Sequence, residues 1–401
     1  MKRILVLETG REWGGGTNSL LELLRRVDRN RFDITVLYYE DARMGDGPSI
    51  KTVIGSLGFP FLLKGRRAIP LWAKVTKEAA RIAAWWSRPL RGRAIFSVDF
   101  RWRIRPDAEA IARILREGKF QLLYMNDQPS TNLEGILAAS AAGIPSIQHS
   151  RIETELNAFE VDAVNRLVAR MICVSEGVRD TFVAKGVEEA KCTVVHNGID
   201  GGTRPEVHAP EIRREWGIPD GHVLIGTVGN LVRRKRVDDF LRILSLVSRG
   251  GGQRVFGMVV GDGPERDRLA AEAARLGIEG ICRFTGARKE ALSFINAMDV
   301  FVLPTEREGF PRVLLEAMLM GKPVVASRVP GPEQLVIDGE TGFLVPVGRT
   351  EGFAAAVNRL LVDTVLRERL GENGRRRVVA EFSIERYVRG VEDVFQEVIG
   401  R

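Results

Sequence analysis

The sequence predicts an α/β fold of two Rossmann-like, doubly wound domains that face each other across a cleft. Short apolar runs alternate with segments of helical periodicity along most of the chain, which is typical of parallel sheets covered by helices. A turn-rich stretch, Asn-Gly-Ile-Asp-Gly-Gly at 197–202, interrupts this alternation once, and a second series begins after it. Polar and glycine-rich loops follow many of the strands, and ligands of such sheets bind at the carboxyl ends of the strands.

The first series predicts six strands, each a short and mainly apolar run. Strands that are buried on both faces are apolar throughout, as expected in a parallel sheet. The six are Lys2–Glu8, Phe32–Tyr39, Phe120–Met125, Pro145–His149, Met171–Val174 and Cys192–His196. Helices are predicted at 20–27, 131–142 and 157–169, and from Ser175 onward. Three glycines at 14–16 separate the first strand from the first helix and allow the backbone to approach a ligand there.

The second series predicts six further strands by the same criteria. They are Val223–Val228, Val255–Val260, Arg283–Thr285, Asp299–Leu303, Pro323–Ala326 and Phe343–Val345. A last helix is predicted at 384–399, where apolar residues recur at helical spacing. We therefore divide the chain into an N-terminal domain at 1–200, a C-terminal domain at 201–382 and a final helical segment at 383–401.

The net charge of +8 is concentrated in residues 59–105, which contain twelve Lys or Arg and two acidic residues. Four of the six tryptophans, Trp72, Trp85, Trp86 and Trp102, lie among these cations. Because the basicity is confined to one segment, a general nucleic-acid binder is not expected. Cations interleaved with tryptophan on an amphipathic stretch suit an anionic membrane surface. The alternative is a helical pair whose tryptophans pack on the domain and whose cations are solvated.

Cysteine and histidine usage gives no indication of a disulfide framework or a metal site. Cys173, Cys192 and Cys282 are scattered, and the four histidines do not pair at metal-ligand spacing. The apolar part of the N-terminus is too short for a signal peptide, and no apolar run approaches the length of a membrane span. We therefore expect a cytoplasmic protein without a metal, which binds the membrane only peripherally.

The most informative stretch is 306–321, in which a Glu-Gly-Phe-Pro turn leads into a helical pattern. Pro311 suits the first turn of a helix, since the N–H that it lacks would have no partner there. Glu308 then lies just before the helix, and Glu316 lies about one and a half turns inside it. Free amides at the helix start attract phosphate, whereas carboxylates accept hydrogen bonds from hydroxyls. A ligand with a phosphate end and a hydroxyl-rich end, such as a sugar nucleotide, would use both.

Eight short motifs, strongest between 194 and 345, resemble those of the GT-B-fold, retaining, sugar-nucleotide glycosyltransferases often called family four. They are His-Asn-Gly-Ile-Asp at 196–200, Val-Gly at 228–229 with Lys235, Gly-Asp-Gly-Pro at 261–264, the strand at 299–304, Glu-Gly-Phe-Pro at 308–311 with Glu316, Gly-Lys-Pro-Val-Val-Ala at 321–326, Gly-Pro-Glu at 331–333, and 339–345. The resemblance covers essentially the whole chain. It implies an N-terminal domain that binds the acceptor and a C-terminal domain that binds the donor.

The resemblance further implies transfer of a sugar from a UDP- or GDP-linked donor to a glycan or a lipid-linked acceptor. Transfer would proceed with retention of configuration and without a metal or other cofactor, in the synthesis of cell-envelope polysaccharide or lipopolysaccharide. The protein would then work in the cytoplasm or on the cytoplasmic face of the inner membrane. In this family the last helix crosses back to the N-terminal domain and links the two halves.

The resemblance also implies roles for individual residues. Glu308 would contact hydroxyls of the transferred sugar, His149 would face that sugar from the N-terminal domain, and Lys235 would neutralise the departing diphosphate. The other predicted contacts with the donor are Gly15, Gly16, Gly229, Asp262, Gly309, Phe310, Pro311, Arg312, Val313, Glu316 and Glu333. Glu316 would bind the ribose of the nucleotide, and Glu333 either contacts the ligand or caps a helix.

The chain departs from the family pattern at two positions. Asn230 stands where the family usually has an arginine, so Arg233 or Arg234 is expected to supply the second cation for the diphosphate. Arg236 stands where a glycine usually follows the lysine. These departures support one alternative, a non-catalytic binder of nucleotide sugars. A second alternative is an epimerase-like enzyme on the same fold. Such an enzyme would need acids and histidines placed for chemistry at the sugar, and the four histidines of this chain leave little room for that.

Overall fold

The protein is described by a computed structural model over residues 1–10, 13–43, 47–65, 67–250 and 254–400. The described N-terminal half contains a parallel sheet of seven strands in the order β3-β2-β1-β4-β5-β6-β7. These strands are β1 (Lys2–Glu8), β2 (Phe32–Tyr38), β3 (Phe61–Leu63), β4 (Leu122–Asn126), β5 (Ser146–Ser150), β6 (Arg170–Cys173) and β7 (Cys192–Val194). The helices of this half are α1 (Gly15–Arg26), α2 (Ile50–Ser56), α3 (Leu71–Ala83), α4 (Arg88–Asp99), α5 (Arg105–Glu117), α6 (Leu133–Ala142), α7 (Ala158–Leu167) and α8 (Glu176–Ala184).

The described C-terminal half contains a second parallel sheet of six strands in the order β10-β9-β8-β11-β12-β13. These strands are β8 (Val223–Val228), β9 (Val255–Val260), β10 (Cys282–Phe284), β11 (Val300–Leu303), β12 (Val324–Ser327) and β13 (Gly342–Val345). The helices are α9 (Ala209–Glu215), α10 (Val237–Arg249), α11 (Arg266–Arg275), α12 (Ala291–Ala297), α13 (Arg312–Leu319), α14 (Pro330–Leu335), α15 (Thr350–Val362), α16 (Thr364–Glu381) and α17 (Ile384–Ile399).

The predicted fold class is confirmed, because the chain forms two parallel, doubly wound sheets with helices between the strands. Predicted and observed strands coincide within one or two residues, as expected for fully apolar runs buried on both faces. The sequence analysis missed β3, which lies inside the basic segment and pairs with β2 at the edge of the sheet. Its three residues are too few to show a periodicity against the irregular sequence around them.

Both sheets reverse their winding at equivalent places, between β1 and β4 and between β8 and β11. Ligands of doubly wound sheets bind outside the carboxyl ends of the strands at such a switch point. In the N-terminal half these ends carry Glu8 and Asn126, whose side chains are hydrogen bonded to each other. In the C-terminal half the loops that follow carry Lys235 and Glu308, which form an ion pair. The topology therefore brings two polar clusters to the edges of the sheets where ligands are expected.

The last helix, α17, belongs by its packing to the N-terminal half of the molecule. Its apolar face lies in the same buried cluster as side chains of β1, β2 and β4. The ring of Phe395 contacts Phe32 and Tyr124 edge-on, with centroid distances of 5.5 and 5.1 Å. Nearer the start of the helix, the hydroxyl of Tyr387 donates a hydrogen bond to the carbonyl of Ser19 in α1. The chain thus returns from the C-terminal sheet and ends against the N-terminal one.

Helices α3 and α4 form a hairpin that leaves much apolar surface exposed. Trp85 and Trp86 lie in the turn between the two helices and are 75% and 67% exposed. Ile82 and Leu71 of α3 are also largely exposed, whereas Trp102 is buried at the base of the hairpin. The alternative in which the tryptophans pack on the domain therefore describes Trp102 but not Trp85 and Trp86, which are mostly exposed.

We expect Phe395→Ala to lower the free energy of unfolding by about 3–5 kcal/mol, because a large buried ring would be replaced by a cavity between α17 and the sheet. Asp393→Ala, at an exposed position of the same helix, should change it by less than about 0.5 kcal/mol. Urea unfolding followed by tryptophan fluorescence would measure both. Equal, small effects of the two substitutions would show that α17 does not hold the N-terminal half together.

Candidate active site

A cleft of about 620 Å³ lies between the two sheets and is lined by both halves of the chain. Its N-terminal wall includes residues from the ends of β1, β4 and β5 and from the start of α1. Its C-terminal wall includes the loops after β8 and β9, and the segment 308–316. The volume lies within the usual range for small-molecule sites.

The C-terminal wall carries a buried carboxylate held between two cations. Glu308 is only 8% exposed, and its Oε1 atom forms an ion pair with the Nζ of Lys235. The guanidinium of Arg234 lies 3.6 Å from the same oxygen, and the hydroxyl of Thr305 donates to it at 3.2 Å. With two cations around one carboxylate, this cluster has a net positive charge facing the cleft. An anionic ligand would compete with Glu308 for Lys235.

The segment that follows Glu308 presents the start of α13 to the cleft. Pro311 occupies the position just before the helix, and the helix begins at Arg312. The carbonyl of Pro311 already accepts the first hydrogen bond of the helix, from the N–H of Leu314. The first amides of α13 therefore have no partner within the helix and make this end attractive to an anion. Among the predicted contacts, Arg312, Val313 and Glu316 all line the cleft here.

Glu316 lies on the cleft face of α13, one turn after Arg312. Its carboxylate is 3.7 Å from the guanidinium of Arg312, and its side chain is 21% exposed. Burial raises the pKa of Glu316, Arg312 opposes this change, and Glu22 of α1 on the opposite wall adds to it. A carboxylate in this position can accept hydrogen bonds from ligand hydroxyls, which would replace the water lost on binding.

The N-terminal wall presents a second helix start, that of α1. The helix begins at Gly15, with Gly14 as its N-cap residue, so the predicted glycine loop is also the first turn of the helix. Gly15 and Gly16 both line the cleft. The side-chain amide of Asn126 donates to Glu8 and, at 3.4 Å, to the carbonyl of Gly16. This wall therefore offers backbone amides beside a set of amide and carboxyl side chains.

Most of the predicted site residues lie on the cleft wall. These are Gly15, Gly16, Gly229, Arg234, Lys235, Asp262, Glu308, Phe310, Pro311, Arg312, Val313 and Glu316. Four predicted residues lie off it, namely His149, Arg233, Gly309 and Glu333. The structure thus distinguishes between the two arginines that the sequence left open. Arg234 faces Glu308, whereas Arg233 is 87% exposed and lies 4.0 Å from Glu265 on the outer side of the loop.

His149, which is predicted to face the donor, does not line the cleft, and its role stays a prediction. Its ring is fully buried, and its Nδ1 atom is 2.6 Å from the hydroxyl of Tyr124. Burial, reinforced by the nearby charge of Arg151, lowers the pKa of His149 well below its usual value, so the ring is neutral. The physical reason is that this face of β5 is covered by α17, whose Tyr387 lies next to the ring.

The other two residues off the wall have different explanations. The side chain of Glu333 is exposed in the first turn of α14, whose N-cap residue is Val329 and makes no side-chain cap, and the role of Glu333 stays a prediction. Gly309 is required by packing, since a Cβ atom there would lie 2.1 Å from the main-chain oxygen of Arg151. Only glycine allows the C-terminal loop to approach the N-terminal half this closely.

Arg151 is the main site residue that the sequence analysis missed. It follows β5, lines the cleft and donates hydrogen bonds to Asn126, Asn197 and Tyr387 at 2.5–3.0 Å. Its signal in the sequence is weak, because it is one arginine at the end of one strand. His149, two residues earlier, matched the family pattern better, and the predicted contact with the donor sugar was therefore assigned to it.

Neither a metal site nor a membrane span is found in the described parts of the chain. No group of three or more His, Cys, Asp or Glu side chains is arranged to hold a metal ion there. None of the described helices combines the length and the apolar character needed to cross a bilayer.

Two family profiles match the chain in sequence and together span most of it. "Glycosyltransferase Family 4" matches residues 13–201, and "Glycosyl transferases group 1" matches residues 208–377. The junction between them falls in the loop that separates the two sheets.

Curated relatives match mainly over part of their length. Lipopolysaccharide core biosynthesis glycosyltransferase LpsE of Rhizobium meliloti is 37% identical over 173 residues, which are 43% of this chain and 49% of the relative. N-acetyl-alpha-D-glucosaminyl L-malate synthase of Bacillus anthracis is 30% identical over 205 residues, 51% of this chain and 53% of the relative. The chain thus spans about half the length of these curated relatives.

Solved structures extend the similarity of fold to the whole chain. The crystal structure of HepE from Anabaena, in complex with UDP and glucose, superposes with a TM-score of 0.79. The match covers 99% of this chain and 100% of HepE at 21% sequence identity, so it concerns the fold alone. Together with the two profiles and the cleft between two Rossmann-like halves, it places the chain in the GT-B-fold glycosyltransferases of group 1, family four.

Proposed function

We propose that this protein transfers a sugar from a nucleoside-diphosphate sugar, UDP- or GDP-linked, to a hydroxyl of a glycan or lipid-linked acceptor. We further propose that the anomeric configuration is retained, that no metal takes part, and that the product belongs to a cell-envelope polysaccharide or lipopolysaccharide. The observation that carries the proposal is the cluster of Lys235, Arg234 and Glu308 beside the start of α13. It combines positive charge, free amides and a carboxylate within one wall of the cleft.

The arrangement supports a definite orientation of the donor. The diphosphate would lie between the starts of α13 and α1, near Lys235 and Arg234. The ribose hydroxyls would bind Glu316, and the transferred sugar would bind Glu308. A UDP ligand is supported by the HepE complex, and an envelope product by the relative LpsE.

In the reaction, the bond from the anomeric carbon to the diphosphate oxygen breaks while a bond to the acceptor oxygen forms. The acceptor proton passes to the departing diphosphate, whose charge is stabilised by Lys235, Arg234 and the amides of α13. Because this charge grows as the bond breaks, the fixed cations lower the energy of the transition state more than that of the bound donor. The same cations provide the charge that a metal would otherwise supply, which supports the proposal of metal independence.

A membrane-bound acceptor is supported by the α3–α4 hairpin. Its tip carries Trp85 and Trp86, and its exposed face carries Ile82 and Leu71. Lys74 and Arg81 are also exposed on α3. Indole rings favour the boundary between lipid and water, and cations favour anionic headgroups. We therefore propose that the protein binds peripherally to the cytoplasmic membrane face, where a lipid-linked acceptor would be present.

Lys235→Met should lower kcat for sugar transfer by about 10²–10³-fold, because one of the charges that stabilise the leaving group is removed. The assay uses labelled UDP- and GDP-sugars with a glycolipid extract, and NMR of the product shows its anomeric configuration. EDTA should leave the wild-type rate unchanged. Interconversion of the free nucleotide sugar would instead indicate an epimerase, and binding without any product would indicate a non-catalytic binder.

Glu316→Ala should weaken the binding of UDP or GDP by about 10–100-fold, because hydrogen bonds between a carboxylate and the ribose hydroxyls are lost. Isothermal titration calorimetry without acceptor measures this effect separately from turnover. Glu340→Ala, an exposed glutamate of the same domain, is the matched control and should bind like the wild type. Unchanged nucleotide affinity in the Glu316 variant would contradict the proposed orientation of the donor.

Replacing Trp85 and Trp86 together by serine should greatly reduce the fraction of protein that floats with phosphatidylglycerol vesicles. A double Val362→Ser, Val365→Ser variant is the control, since these side chains are 72% and 76% exposed but belong to the C-terminal domain. It should float like the wild type. If both variants float equally, or if the wild type does not float, the hairpin is not a membrane anchor.

A further inference from the structure

The guanidinium of Arg151 carries a charge that the described residues do not neutralise. Its Nε and Nη2 atoms donate to Oδ1 of Asn126 at 2.8 and 2.5 Å, and its Nη1 donates to Oδ1 of Asn197 at 2.9 Å. Its Nη2 also lies 3.0 Å from the hydroxyl of Tyr387 and 3.4 Å from that of Tyr124. All of these acceptors are neutral, and no described carboxylate forms an ion pair with it.

The one acidic group on the same network, Glu8, is poorly suited to compensate this charge. It is 6% exposed at the end of β1 and is linked to Arg151 through Asn126, which bonds to both. Burial, with a further contribution from Asp127, raises the pKa of Glu8 to about 8. The carboxyl group therefore holds its proton near neutral pH and does not neutralise Arg151.

A half-buried cation without an anion in contact is costly, and Arg151 is held here by a fixed set of hydrogen bonds. Asn197, one of its partners, in turn donates to the carbonyl of Phe310 at 2.9 Å. The orientation of Arg151 is thus set from both halves of the molecule. One N–H of Nη1 has no acceptor among the described residues.

The location of Arg151 identifies which part of a ligand it would meet. Its Cγ atom would lie 3.4 Å from a Cβ placed on Gly16, in the first turn of α1. Its main-chain oxygen touches Gly309, the residue after Glu308. Arg151 therefore lies at the junction of the two walls, beside the helix start of the N-terminal half and the loop that carries the C-terminal cation cluster.

We propose that Arg151 binds the diphosphate of the donor from the N-terminal side and stabilises it as a leaving group. This inference rests on the proposed function. It adds a cation from the opposite wall to Lys235 and Arg234, in a chain that has Asn230 at the position where the family usually has an arginine. The charge compensation would then come from both halves of the molecule, because Arg151 and Lys235 belong to different halves.

Arg151→Gln should weaken UDP binding by about 10–100-fold and leave the affinity for uridine within about threefold of the wild type. Uridine shares the base and the ribose but lacks the phosphates, so a purely structural role of Arg151 would affect both ligands equally. If the wild type prefers GDP, guanosine takes the place of uridine. Titration calorimetry without acceptor measures all four values.

Adding Asn230→Arg to the Arg151→Gln variant should recover at least tenfold in UDP affinity, since it restores a cation at the family's own position. Arg151→Lys, which keeps the charge but not the fork of donors, should bind UDP with intermediate affinity. Arg170→Gln is the matched control, because Arg170 also links the N-terminal sheet to α17, through Glu397, but lies outside the cleft. It should bind UDP and uridine like the wild type.

Three results would overturn the inference. They are an Arg151→Gln variant that binds UDP like the wild type, equal losses for UDP and uridine, and a change confined to the KM of the acceptor. The last would assign Arg151 to an anionic group of the acceptor instead. A wild-type protein that binds no nucleoside diphosphate would refute the proposed function itself, which separates the two failures.

Discussion

The structure depends on the close contact between the main chains of Arg151 and Gly309, which joins the two halves at the cleft. A side chain at position 309 would overlap the oxygen of Arg151, so the absence of a Cβ atom sets the distance between the halves. The hydrogen bond from Asn197 to the carbonyl of Phe310 fixes the same junction from the connecting segment. Because of these contacts, the starts of α1 and α13 line one cleft rather than two separate surfaces.

The two walls of the cleft carry different arrangements of charged groups next to this junction. The C-terminal wall has two cations around one buried carboxylate, and the N-terminal wall has a guanidinium whose described partners are neutral. The cleft is therefore prepared for an anion before any ligand is present. Fixed charges of this kind are effective because they need no reorganisation when negative charge develops. A glycosyltransferase with a diphosphate leaving group has this requirement, and membership of the family supports the interpretation.

Helix α17 and the α3–α4 hairpin add functions that the two sheets alone would not provide. The first carries Tyr387, which contacts Arg151 and α1, so that the end of the chain is connected to the cleft. The second is attached to the N-terminal half and directs two tryptophans into solvent. If the hairpin binds a membrane, the N-terminal half would be held near the lipid.

The sequence by itself determined the fold class, nearly all of the strands and the stretch that carries Glu308 and Glu316. It could do so because buried parallel strands are continuous apolar runs, and because helix starts and turns depend on neighbouring residues. Only the tertiary structure showed that Arg234 rather than Arg233 faces the cleft, that His149 is covered by α17, and that Arg151 lines the cleft. These facts depend on contacts between residues far apart in the chain, and local periodicity carries no information about them.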